Sequence, residues 1–530
     1  MTVIVVSFAV YTLFIVGVGL YSAKFARRSD EDYFLAGRSL GPWTAALSAS
    51  ASAESGWVTM GLVGLAFASG MQAYWLIPGV CLGYLFNWFI LAARLRDHSS
   101  NLGALTLPDL FARHYGERQP ILRILSVVVI MVAMLLYVAA QFAAAGKAFD
   151  FALADRADYW HGVLIGSGIV LVYTVLGGFR AVCWTDFVQA LIMIGALVGF
   201  PLYIMATQGG YGFMLEHFRA ADAAAGGVAG GTNLVSLLPQ KTGLALIGFL
   251  LGSSALGVNF GYPGQPHILV RYMGMRDRRE YKVAGAIALA WMFMVLWGAV
   301  TIGLLARALA ESGGVGTEWA TPILADLAND KPVLNETALL AAAAHMLPGV
   351  MAGLVLAAVL AAICSTADSQ LVVAASAAAN DLRPRRTGSA GGRFHMLINR
   401  LTVFLLGAGA ILLVIRQEVN VYSYVLTYGW AVLGAAFGPQ LILLLFWKRS
   451  TYAGCVAGML VGFILPIVWA NVYDASATGV EIYNLPLSFI AAMIVNMAVS
   501  IARPRQGPRT FAMHTSPPDE SGWSAPGHRM

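Results

Sequence analysis

The chain reads as an all-α polytopic membrane protein of about 13 transmembrane helices, with two inverted five-helix repeats, two discontinuous helices and flanking helices. Three observations carry that expectation. Hydrophobic residues make up 58% of the 530 and charged residues only 11%, with a mean hydropathy of +0.71, whereas a soluble domain carries about 25% charge. Apolar runs of about 20 residues, long enough to span a bilayer, recur along nearly the whole chain between short polar segments. Two of the runs are interrupted by small and helix-breaking residues, and paired broken helices in corresponding positions of two halves mark a transporter with inverted repeats. A closed barrel is excluded, because its strands alternate apolar and polar over about 10 residues and these runs are longer and continuously apolar.

The elements follow in order. The run from Val3 to Tyr21 begins almost at the initiator, and its basic flank KFARR comes after it, so it reads as a retained helix and not as a cleaved signal peptide. Residues 1–41 hold this helix and a loop. The first five-helix repeat occupies 42–207, with spans at 42–67, 71–93, 124–146, 159–179 and 182–206. An outer loop, 208–242, separates it from the second repeat, 243–446, with spans at 243–269, 283–306, 342–378, 399–415 and 421–446. Peripheral helices at 451–471 and 485–501 fill 447–502. The stretch 307–341 reads as a second surface loop, and the polar, proline-rich 503–530 as a disordered cytoplasmic tail. The interruptions are SASASAESGW within 42–67 and LGSSALGVNFGYPGQP within 243–269.

Charge sets the orientation. With the N-terminus outside, 26 of the 33 basic residues, Arg271 among them, fall in loops on one face, and seven, including Lys147, on the other. That asymmetry makes the basic face cytoplasmic, the C-terminus cytoplasmic and the protein a multi-pass component of the cell membrane. The basic patches are topology signals, so nucleic acid is not an expected partner; the lipid bilayer is. Cys81, Cys183, Cys364 and Cys455 lie on separate apolar runs without a CxxC pair and read as buried small hydrophobes. No GxxxxGK phosphate loop and no HExxH metal motif occurs, which argues against an ATP-driven pump or a metalloenzyme.

Three carboxylates, Glu54, Asp186 and Asp368, fall inside apolar spans, where a charge costs roughly 2.5 to 3.5 kcal/mol. Each invites a functional reason or a structural partner. In AAICSTADSQL, Ala361 to Leu371, residues Ser365, Asp368 and Ser369 share a helical face with Thr366 beside them. Oxygen ligands of this kind suit a hard cation, and the same small residues also suit helix packing. At a break such as that around Glu54, carbonyls without helical partners become cation ligands, and freed N–H groups can meet a carboxylate. Trp57, Tyr137 and Tyr262, near the breaks, line an apolar pocket or pack the core.

The segments FLAGRSLGPW, ALTLPDLF, GGFRAVCWTDFVQ, GQPHILVRYM and STADSQL, in this order between Tyr33 and Arg449, resemble the sodium/solute symporter family, most closely its sodium/proline branch. The resemblance implies a LeuT-like inverted-repeat fold and sodium-coupled alternating access, with no enzymatic activity. It implies a sodium (Na+) site from the carbonyls of Ala51, Glu54 and Ala362 and the hydroxyls of Ser365 and Thr366. It implies a substrate site at Ser55, Gly56, Trp57, Tyr137, Tyr262 and Pro266. In branches similar to sialic-acid carriers, a second sodium would correspond to Asp186, Ser365, Asp368 and Ser369. Two departures bear on these expectations. The proline branch has an aspartate where this chain has Ala53, and the carboxylate of Glu54 is one residue on, about 100° around a helix. It also has a tryptophan where this chain has Val258. The expected function is sodium-coupled symport of a small amino acid, proline first. The alternatives are a proton-coupled carrier, a carrier of another amino acid or small carboxylate, and a transporter-fold nutrient sensor. Oligomeric state is left open.

Overall fold

In the computed structural model, the described residues are 35–503, apart from 117–119, 154–157, 177–178, 226–232, 240, 314–315, 330–331, 382–388 and 474–479, together with isolated positions between 6 and 18. The tail from 504 on, expected to be disordered, and nearly all of the first helix, 3–22, lie outside them.

Among the described residues every regular element is helical. The first repeat runs α1 (Pro42–Ala53), α2 (Val63–Ser69), α3 (Leu76–Leu85), α4 (Ile121–Leu153), α5 (Tyr159–Leu176) and α6 (Phe179–Gln208). The second runs α7 (Gly243–Leu250), a 3-10 stretch at Leu256–Gly264, α8 (Pro266–Met273), α9 (Tyr281–Ser312), α10 (Gly349–Asp381), α11 (Ser389–Val414) and α12 (Ala431–Phe446). Two outer helices follow, α13 (Tyr452–Val472) and α14 (Asn484–Ala502). Eight of the helical stretches are long and apolar enough to cross a bilayer, and α5 and α11 contain shorter apolar helices.

Contacts in one half recur in the other. α1 packs on α6 as the 256–264 stretch packs on α12, and α4 holds α5 as α10 holds α11. α5 meets α10 as α11 meets α4, while α2 meets α9 as the 256–264 stretch meets α3. The direct α4–α10 contact lies at the centre of this exchange. That is the pairing expected of an inverted repeat, in which each half completes the other.

Local chemistry explains the breaks. α1 starts with Pro42 in its first turn, where the missing N–H costs nothing, and stops as Glu54 leaves helical geometry at φ −97°, ψ 78°. The second broken helix ends its 3-10 stretch at Gln265, held extended at φ −91°, ψ 101° by the following Pro266, which then opens α8. Close crossings use glycine. A Cβ on Gly303 of α9 would come within 2.3 Å of the Val63 carbonyl, and one on Gly264 within 2.5 Å of the Leu433 carbonyl.

Three readings are corrected in detail. The loop 208–242 contains a helix, Gly210–Ala224, packed on α9. The stretch 307–341 is largely helical too, with α9 reaching Ser312 and a short helix at Thr321–Asp326. The span read at 342–378 is divided: a helix at Ala338–Met346 ends where Leu347, preceding Pro348, is extended, and α10 starts at Gly349.

Candidate functional site

The carbonyls at the end of α1 lose helical partners because the chain turns away after Ala53. In an unbroken helix the Ser52 carbonyl would accept the Gly56 N–H. Here that N–H donates to Gln141 Oε1 at 3.1 Å, and the Ser52 carbonyl accepts from Thr366 Oγ1 on α10 at 3.2 Å. Beside it, Ser365 Oγ lies 2.9 Å from the Ala51 carbonyl and 3.1 Å from that of Ala362. Two hydroxyls of α10 and the carbonyls of Ala51, Ser52 and Ala362 therefore converge in one fully buried cluster. All the donor atoms are neutral oxygens, a set suited to a hard monovalent cation, and no group of three or more His, Cys, Asp or Glu occurs among the described residues to favour a softer metal.

A charged layer sits directly alongside. Asp186 Oδ2 accepts from Ser48 Oγ at 2.6 Å, Ser52 Oγ at 3.2 Å and Arg271 Nη2 at 2.8 Å. Arg271 also donates to Ser48 Oγ at 3.0 Å, to Ser369 Oγ at 2.5 Å and to the His267 carbonyl, and its guanidinium lies 5.1 Å over the Phe179 ring. Ser52 Oγ is 3.0 Å from Ser369 Oγ, so Ser52 joins this layer to the cation cluster. Arg271 was counted above with the basic loops; it is instead fully buried, as is Asp186, because each supplies the other's counter-charge. Asp186 and Ser369, read as ligands of a second sodium, thus already face a fixed cation. Asp368 is buried beside Ser369, whose hydroxyl lies 3.3 Å from Asp368 Oδ1.

Glu54 points away from this layer. Its Oε1 accepts from Tyr84 Oη at 3.1 Å and Tyr262 Oη at 3.2 Å, while Oε2 is buried without a partner. The carboxyl thereby joins the break in the first repeat to α3 and to the break in the second. The Tyr262 ring meets Tyr84 edge-on at 5.2 Å and Trp430 at 4.7 Å, and Trp430 Nε1 donates to the Val258 carbonyl at 3.0 Å. An indole from the turn just before α12 therefore closes the corner at Val258.

Trp57, Tyr137 and Gly56 surround the broken segment: Trp57 Nε1 donates to the Ala53 carbonyl at 2.9 Å, and a Cβ on Gly56 would lie 3.0 Å from Gln141 Oε1. Above Trp57, Tyr422 packs at 6.2 Å between ring centroids. Its backbone N–H and that of Val421 donate to Glu336, at 2.9 and 3.0 Å, and Glu336 pairs with Lys147 Nζ at 2.7 Å. Lys147, counted with the outer loops, is buried by this pair. Asp326 organises the loop leading to Glu336: burial raises its carboxyl's pKa, but the Leu334 and Val333 N–H groups outweigh that and hold it below the usual value. Towards the basic face, by contrast, a narrow cleft of only about 20 Å³ reaches Pro266, with Thr106, Phe179, Val372 and Ser376 along its walls.

Of the residues singled out in the sequence, Ala51, Ala362, Ser365 and Thr366 meet in one cluster, Asp186 and Ser369 in the adjoining layer, and Ser55, Gly56, Trp57 and Tyr137 around the break. Tyr262 reaches it through Glu54, and Pro266 borders the cleft. Ser48, Ser52, Gln141, Arg271, Lys147 and Glu336 were missed. Ser48 and Ser52, four apart in SASASA, carried a usable signal, a polar face on an apolar helix.

The chain matches the model of the "Sodium:solute symporter family" over residues 33–462. It is 33% identical over 513 residues to the osmoregulated proline transporter OpuE of Bacillus subtilis, covering 96% of this chain and 97% of that one. It is 34% identical over 472 residues to the sodium/proline symporter of Escherichia coli, covering 88% of each. Among solved structures, a substrate-bound, outward-open Na+-coupled sialic acid symporter superposes with a TM-score of 0.73 at 17% identity, over 96% of this chain and 99% of that one, which establishes a shared fold.

Proposed function

The chain belongs to the sodium:solute symporter family, and from that premise we propose that it is a secondary transporter, not an enzyme, coupling sodium entry to uptake of a small amino acid, most directly proline, by alternating access. The observation that carries the reading is the cluster of two hydroxyls and three carbonyls at the helix break. Sodium would bind the oxygens of Ala51, Ala362, Ser365 and Thr366, with Ser52 and the expected Glu54 carbonyl able to complete the set. The ligands come from α1 and α10, so an ion there ties the broken helix to the central pair. When the ion leaves, the hydroxyls donate to the same carbonyls, as observed, and that exchange lowers the cost of emptying the site.

Ser55, Gly56, Trp57 and Tyr137 form the substrate side of the break, Tyr262 sets its far corner, and Pro266 borders the exit. With the N-terminus outside and the basic face cytoplasmic, the narrow cleft beside Pro266 lies on the inner side, while Tyr422, Glu336 and Lys147 close the outer side. An inside-negative potential supplies about 2.3 kcal/mol per charge per 100 mV, enough for one sodium to drive substantial accumulation. Glu54 supports a second reading: a buried carboxyl without an ion pair could carry a proton in place of sodium.

The test is uptake of radiolabelled proline into proteoliposomes at fixed membrane potential, comparing an inward sodium gradient with an inward proton gradient. Accumulation driven by sodium is expected. Accumulation driven only by protons overturns the assigned ion, and none under either gradient in folded protein overturns the substrate.

A further inference from the structure

The break leaves one donor outside the cation cluster. The Gly56 N–H is held by Gln141 Oε1 at 3.1 Å, while Gln141 Nε2 donates to Ser55 Oγ at 3.2 Å. A single carboxamide thus grips two of the groups a substrate would be expected to use. Gln141 is fully buried on α4, one turn beyond Tyr137. The Tyr137 hydroxyl, also fully buried, forms no hydrogen bond of ordinary geometry and lies towards the Ser55 side chain, and the His267 ring, edge-on to Tyr137 at 5.9 Å, likewise forms none and lies towards the Ser52 backbone. Burying polar groups without well-formed hydrogen bonds is costly, so two of them beside a clamped amide mark a place for a polar ligand.

We propose that Gln141 determines specificity: its carboxamide stands in for the substrate's carboxylate in the empty site, and a carboxylate displaces it. This rests on the amino-acid substrate proposed above. The chemistry favours the exchange. An ionised carboxylate accepts hydrogen bonds roughly twice as strongly as a neutral amide oxygen. Unlike the amide it has no donor of its own, so it can take the Gly56 N–H and the Ser55 O–H together. A ligand without a carboxylate cannot make that gain and leaves Gln141 in place. Gly56 is part of the device, because a Cβ there would lie 3.0 Å from Gln141 Oε1 and 3.2 Å from Ala144 Cβ, crowding the approach of either acceptor.

The experiment compares Gln141→Ala and Gln141→Glu with the wild type, using labelled proline and, as a competitor lacking the carboxylate, pyrrolidine. Removing the internal acceptor should lower KM for proline about threefold to tenfold, with no matching gain in inhibition by pyrrolidine. Gln141→Glu keeps an acceptor on Gly56 and repels the incoming carboxylate, so KM for proline should rise at least as much, with pyrrolidine inhibition not weakened. A purely structural role would move both ligands together. Equal or poorer proline affinity in Gln141→Ala, or parallel shifts of proline and pyrrolidine, overturns the proposal. A second measurement needs no transport: hydrogen exchange of the 54–58 backbone in ligand-free protein should quicken in Gln141→Ala, and unchanged exchange overturns the clamp. Failure of the wild type to accumulate proline counts against the transport reading, while the exchange measurement still decides the Gln141 bond.

Discussion

Replacing Ser365 with Ala tests the cation cluster most directly. The Ser365 hydroxyl has one proton to donate, shared between the carbonyls of Ala51 at 2.9 Å and Ala362 at 3.1 Å. Without an ion, its loss removes one neutral hydrogen bond, about 1 kcal/mol, so the fold should survive. With an ion, the loss is a ligand of a charge in a dry site. Hydrogen bonds to charged groups contribute about 1.5 to 3 kcal/mol; less the roughly 1 kcal/mol already lost without the ion, about 0.5 to 2 kcal/mol remains, a rise in the half-saturating sodium concentration of about 2- to 30-fold. Thr366→Val, which removes the neighbouring hydroxyl, should shift it in the same direction. The assay is the initial rate of proline uptake into proteoliposomes as a function of sodium, with the amount of folded protein measured by size-exclusion chromatography. A well-folded Ser365→Ala protein with wild-type sodium dependence would refute the assignment of this cluster to the coupling ion.

Three further outcomes are expected. Glu54→Gln keeps an acceptor for Tyr84 and Tyr262 but removes the ionisable group, so it should depress transport and shift its sodium or pH dependence; unchanged dependence in a well-expressed protein removes Glu54 from the mechanism. Lys147→Met strands the buried Glu336 carboxylate and should destabilise the protein by about 3 to 5 kcal/mol, with much of this recovered in the Lys147→Met, Glu336→Gln double variant; a single variant that melts like the wild type would show that the pair is dispensable. Because the Arg271 guanidinium already contacts Asp186 and Ser369, a reversal-potential measurement should give one sodium per substrate, and a ratio of two would mean that an ion shares that layer.

The membrane class, the two broken spans and the polar face of α10 were legible in the sequence because each is a local property. Hydropathy over about 20 residues marks a span, glycine, serine and proline mark a break, and spacing of three or four places Ser365 and Ser369 on one face. Arg271 and Lys147 show where this reading stops. Both looked like loop charges, and both are buried, because their partners lie 85 and 189 residues away along the chain. Neither pairing leaves a local trace. The direction of Glu54 was open for the same reason: once α1 ends at Ala53, helical periodicity no longer aims the side chain, and Tyr84 and Tyr262 decide where it goes.

The grip of Gln141 on the break was beyond local reading as well, since nothing near residue 141 hints at an orphaned amide at 56. The sequence by itself determined that the chain is a polytopic membrane protein, where two of its spans break, and which oxygen-bearing residues lie at a break. Only the tertiary structure decided which of those groups meet. In a bilayer interior a polar group cannot turn to water, so its partner is set by which helices the inverted-repeat packing brings side by side.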